Sequence, residues 1–140
     1  MRPTPEPVLT GQESVWQFPR PAIAEQTSMH LKIVHRGVTI AETRRGVRTL
    51  ETSHPPSYYF PREDVVMAFL SPSAKRSFCE WKGDATYFDV AVKSEILRDI
   101  AWTYQQPTAP FITFRDHFSF YAAPFDGCYI EGEKVTPQPG

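Results

Sequence analysis

From Leu31 onward the chain keeps a period of two. Leu31, Ile33 and His35 alternate with Lys32, Val34 and Arg36, Gly37 interrupts, and Val38-Thr39-Ile40-Ala41 resumes the pattern. Successive side chains on a strand point to opposite faces, so this spacing predicts a hairpin with one buried face. Residues 47–51 alternate again after Gly46 and predict a third strand, with His54-Pro55-Pro56 as its end, because proline cannot donate to a ladder and restricts the residue before it. Residues 77–81 and 85–92 predict two strands paired around the turn Lys82-Gly83-Asp84. Residues 96–104 fit a helical stripe or a strand, with the strand favoured over 100–104. Short strands are predicted at 118–121, 128–130 and 134–136, separated by Asp126-Gly127 and Gly132.

Helix is expected in only two places. Pro61 followed by Arg62-Glu63-Asp64 has the form of a first helical turn, cut short by Ser71-Pro72-Ser73, and residues 110–116 can form one or two turns. Eight or nine short strands at hairpin spacing, with one or two short helices, predict a mainly β, antiparallel fold that is closed or nearly closed, barrel-like or tent-like. Three Trp, six Tyr and ten Phe supply the core volume.

A length of 140 residues predicts one domain, and 41% hydrophobic against 22% charged residues is the balance of a self-supporting globule. Fifteen basic and sixteen acidic residues leave a net charge of −1, so no overall field favours nucleic acid or anionic lipid. Arg44, Arg45 and Arg48 form the one basic cluster and read as a solvated strand edge. Neither a signal peptide nor a membrane span is legible, and the expected location is the cytoplasm. Residues 1–28 are proline-rich and read as an extended arm, with 29–136 as the β domain and 137–140 as a tail. Within the arm Trp16 and Phe18 lie two apart, on one side of an extended chain, and are expected to pack on the body.

Three stretches carry a resemblance: Glu51-Thr52-Ser53-His54-Pro55-Pro56-Ser57-Tyr58-Tyr59-Phe60-Pro61, then Cys79-Glu80-Trp81-Lys82-Gly83-Asp84-Ala85-Thr86-Tyr87, then Ala101-Trp102-Thr103-Tyr104. In that order they resemble the family called domain of unknown function 427, over roughly residues 29–136. The resemblance implies a compact β fold of the Mss4-like kind, also seen in methionine sulfoxide reductase B proteins, and it implies no reaction. A nucleotidyltransferase label sometimes attached to the family finds no support in the residues. That chemistry needs closely spaced carboxylates for Mg²⁺ and a glycine-rich turn, and the chain has neither D-x-D nor D-x-E.

His54 is the foremost candidate for acid–base chemistry, because Pro55 fixes its backbone and Glu51, Tyr58 and Tyr59 stand in the same loop. The bland alternative is a turn histidine bonded to a carbonyl. Cys79 and Lys82 flank a turn, where the ammonium could favour a thiolate, or where the thiol could simply be buried and inert. Cys79, Cys128, His54 and His117 could in principle ligate a metal, yet none is paired in sequence, so neither metal nor other cofactor is expected. Three readings follow. The first is a small-molecule site using His54, Glu51, Tyr59, Cys79 and Lys82 on a small carbonyl or carboxylate compound, without metal. The second is a binding module with an aromatic pocket for a ligand or peptide, drawn from Trp16, Trp81, Trp102 and the tyrosines Tyr58, Tyr87 and Tyr104. The third is an interaction protein that dimerises through an aromatic face.

Overall fold

The alternating segments pair into three antiparallel sheets in the computed structural model, which describes residues 23–51, 54–79 and 82–135. The strands are Ile23–Gln26 (β1), Leu31–His35 (β2), Val38–Thr43 (β3), Val47–Glu51 (β4), His54–Tyr59 (β5), Leu70–Cys79 (β6), Gly83–Val92 (β7), Glu95–Thr103 (β8), Phe118–Phe120 (β9), Gly127–Ile130 (β10) and Glu133–Lys134 (β11). Sheet I has the order β1-β4-β5, sheet II the order β11-β10-β2-β3, and sheet III the order β6-β7-β8-β9. The sheets do not close into a barrel. Helix is confined, among the described residues, to the 3-10 turns Arg62–Asp64, Met67–Phe69 and Ala109–Phe114.

One proline segment behaves differently from the expectation. His54-Pro55-Pro56 does not end the pairing but opens β5, with Glu51 opposite His54 and Arg48 opposite Tyr58. This strand is the edge of sheet I, where the first residues have no second neighbour to donate to. The first two 3-10 turns end before Ser71-Pro72-Ser73, as expected, and that segment lies inside β6, at the free edge of sheet III. There the register shifts between Pro72 and Arg76, and the Arg76 guanidinium donates to the carbonyls of Ser73 (2.8 Å) and Lys75 (2.7 Å). A kinked edge with two carbonyls already occupied is a poor template for another strand. The end of the expected arm is also strand, because β1 pairs with β4 from Ile23↔Leu50 to Gln26↔Val47. Trp16, Phe18 and the tail 137–140 lie outside the described residues.

Three hairpins turn on two residues with positive φ: Arg36-Gly37 (51° and 75°), Lys93-Ser94 (48° and 73°) and Glu131-Gly132 (53° and 80°). Such turns match the right-handed twist of the strands and favour Asn-Gly, since a Cβ is strained there. Lys93-Ser94 carries two Cβ atoms in that region. Replacing the pair by Asn-Gly is therefore expected to stabilise the protein by about 1 kcal/mol in urea denaturation. An unchanged or lowered midpoint would mean that the turn carries no strain.

Sheet III is a shared wall between two cores. Phe88, Val90 and Val92 of β7 join Leu31, Ile33, Ile40 and Phe118 in the first core. Ala85 and Tyr87, at odd positions of the same strand, face the other way into a second core with Val47, Tyr59, Tyr104, Phe111 and Phe114. Sheets I and III are stitched by a two-way backbone bridge between Phe60 and Phe118, with N–H to O distances of 2.7 and 2.8 Å. Burying each large apolar side chain contributes about 1.5–3 kcal/mol, so the two cores together dominate the stability.

Candidate binding cavity

Where the three sheets meet, they leave a cavity of about 510 Å³. One wall comes from Leu31 and Ile33 of β2 and Cys128–Ile130 of β10, which are neighbours because Ile33 pairs with Cys128. Another comes from Trp102 of β8 and Ser119 of β9, directly opposite each other across the pair. Tyr58 and Phe60 close the side toward sheet I, and Tyr121, Ala122 and Ala123, in the loop after β9, complete the lining.

That loop is anchored by a histidine. His35 is 3% exposed, and its Nδ1 accepts the Asp126 N–H (3.2 Å), which places the ring proton on Nε2, bonded to Glu95 at 2.6 Å. The Arg36 N–H donates to the Asp126 carboxylate at 2.7 Å, and Phe125 sits edge-on to both His35 and Phe120. The imidazole is thus a fixed structural bolt. Its only sequence signal was an inward position in the β2 alternation.

Trp102 is held on two sides. Its indole N–H donates to the Tyr59 hydroxyl at 3.1 Å, and its ring packs against Tyr121 with centroids 4.6 Å apart. Burial, together with a hydrogen bond to Tyr87, pushes the Tyr121 phenol above its ordinary pKa, so it remains a neutral phenol. Tyr87 in turn shares a 3.0 Å hydrogen bond with Ser77. Burial also pushes the Cys128 thiol up to about 11, against the opposing pull of Lys134, which leaves it a protonated and unreactive thiol at neutral pH.

Of the residues singled out from sequence, Tyr58 and Trp102 line the cavity. Tyr59, Tyr87 and Tyr104 do come together around Trp102, but as the interior of the second core: Tyr59 is 0%, Tyr104 6% and Tyr87 7% exposed. Cys79 packs against that core. Lys82 is buried, and its backbone closes the turn, donating to the Cys79 carbonyl at 3.2 Å and accepting from the Thr108 N–H at 3.0 Å. Glu51 and His54 face each other through the backbone of the β4–β5 pair, while their side chains and all of Trp81 lie outside the described residues. Ser119, Tyr121 and Tyr129 are cavity residues that sequence reasoning passed over, and Cys128, considered there only as a possible metal ligand, is another.

The basic cluster is largely neutralised. Arg45 pairs with Asp64 (3.2 Å) and Arg48 with Glu25 (2.7 Å). Burial alone would raise the Asp64 carboxyl, but hydrogen bonds from Thr43 and Arg45 outweigh it and hold the group below the usual carboxylate range. Among the described residues no three of His, Cys, Asp and Glu are grouped as a metal would require, and no helix is long and apolar enough to cross a membrane.

Fold and cavity together define a class: a three-sheet antiparallel β domain with an aromatic-walled hollow at the junction of its sheets. The model of the family described as domain of unknown function (DUF427) matches residues 23–131, a span that contains every strand but the short β11. The chain belongs to that family. No curated protein matches it.

Proposed function

We propose that the protein is a small-molecule-binding domain and that the cavity at the sheet junction is its site. The observation that carries this reading is a hollow of about 510 Å³ walled by Tyr58, Phe60, Trp102, Phe120, Tyr121 and Tyr129. Its volume lies in the range of small-ligand pockets, which are mostly apolar with a few placed polar groups. Binding without catalysis is favoured over acid–base chemistry, because the described lining residues include no carboxylate and no histidine, and the one thiol among them is protonated.

A titration with neutral 2-naphthol, followed by amide NMR, tests the proposal. Shifts are expected to concentrate in residues 119–123 and 128–130. Ala122→Trp, which puts a large ring on the cavity wall, is expected to weaken binding at least tenfold. Shifts confined to the β4–β5 hairpin, or no binding at all, would sink the reading.

A further inference from the structure

Two of the polar groups in this largely apolar lining, Ser119 and Lys32, stand without partners among the described residues. Ser119 is 2% exposed and lines the cavity, and its hydroxyl has no hydrogen bond among the described residues. No fully enclosed side-chain nitrogen or oxygen among the described residues lacks a partner. The Ser119 oxygen therefore keeps some accessible surface, and in so buried a residue that surface belongs to the cavity it lines. Buried hydroxyls are nearly always paired, so one without a partner in a ligand-sized hollow is a waiting donor or acceptor.

Lys32 is the second. It is half-buried, it is the one charged residue among the described lining residues, and it makes no ion pair with any of them. Its cross-strand neighbour Glu42 would be the natural counter-ion, but that carboxylate is engaged by the His30 imidazole at 2.5 Å. A half-buried lysine on the cavity lining with no counter-ion among the described residues is free to meet an anion brought by a ligand.

We infer that the cavity takes a monocarboxylate with an apolar, preferably aromatic body. Lys32 answers the charge, Ser119 bonds a ligand oxygen, and the aromatic walls cover the rest. One cation among the described lining residues answers one negative charge; a phosphate dianion would carry a second charge with no further cation there to meet it. The inference rests on the cavity being the binding site, and the test separates the two.

The probes are 2-naphthylacetate and its neutral isostere 2-naphthylacetamide, compared by calorimetry. The carboxylate is expected to bind about tenfold tighter than the amide. Lys32→Gln should bring the carboxylate down to about the amide's affinity, and an unchanged melting temperature reports an intact fold. Ser119→Ala should weaken both probes roughly two- to tenfold. Equal affinities in the unmodified protein would overturn the carboxylate inference and leave an apolar site standing. A preference that survives Lys32→Gln would overturn the role given to Lys32. If neither probe binds, the cavity reading itself falls and this inference with it.

Discussion

Phe114→Ala is expected to cost about 3–5 kcal/mol of stability, the range for deleting a fully buried aromatic side chain. Phe114 is 0% exposed and touches three rings of the second core: Tyr59 at 4.5 Å, Tyr104 at 5.4 Å and Phe111 at 5.6 Å between centroids. Three aromatics that brace one another cannot easily collapse into the space that a fourth leaves. In a domain of this size the melting temperature should fall on the order of 10 °C or more. Phe78→Ala provides the contrast, since Phe78 is 72% exposed and its loss should stay within about 0.5 kcal/mol. Urea denaturation of both variants measures the difference. A cost below about 1 kcal/mol for Phe114→Ala would show that the second core is loosely packed.

Tyr59→Phe removes a single oxygen and is expected to cost about 1–3 kcal/mol, because the buried indole N–H of Trp102 loses the acceptor it meets at 3.1 Å. The effect should reach the cavity as well. Trp102 forms part of its wall, and a tryptophan no longer tied to sheet I weakens the binding of naphthyl probes. A catalytic tyrosine would behave in the opposite way, keeping its stability and losing only turnover. Unfolding measurements and probe titrations on the same variant separate the two roles, and unchanged stability would refute the structural one.

Tyr58 and Tyr59 show where sequence reasoning succeeds and where it stops. Alternation makes it certain that adjacent strand residues face opposite ways, and the two tyrosines do: Tyr58 lines the cavity while Tyr59 disappears into the second core. Which face is hollow and which is filled depends on sheets that pack from elsewhere in the chain. For the same reason the aromatic block Tyr59, Tyr87, Trp102 and Tyr104 could be recognised as a cluster, yet not as packing rather than pocket. The hairpin at Gly37 was legible because turn chemistry is local, and so was the pairing of the strands flanking Lys82, although Gly83 and Asp84, expected in the turn, are paired residues of β7. His54-Pro55-Pro56 was misjudged because a proline's cost depends on whether its strand lies at an edge, which no local pattern states. Ser119 and Cys128 carried no local signal, since each becomes a cavity residue only through pairing with a distant strand.

The union of β2 with β10 also governs the timing of folding. Ile33 pairs with Cys128, 95 positions further along, so sheet II cannot be completed until nearly the whole described chain exists. Contacts this remote in sequence place the domain among slow folders, with times of about milliseconds to seconds once the chain is free. During synthesis, at roughly 5–20 residues per second, the β2–β3 hairpin waits on the order of 5–20 s for its partner. Through that interval Leu31 and Ile33 have no β10 beside them, and the nascent chain offers to chaperones the same apolar strand that later becomes a wall of the cavity.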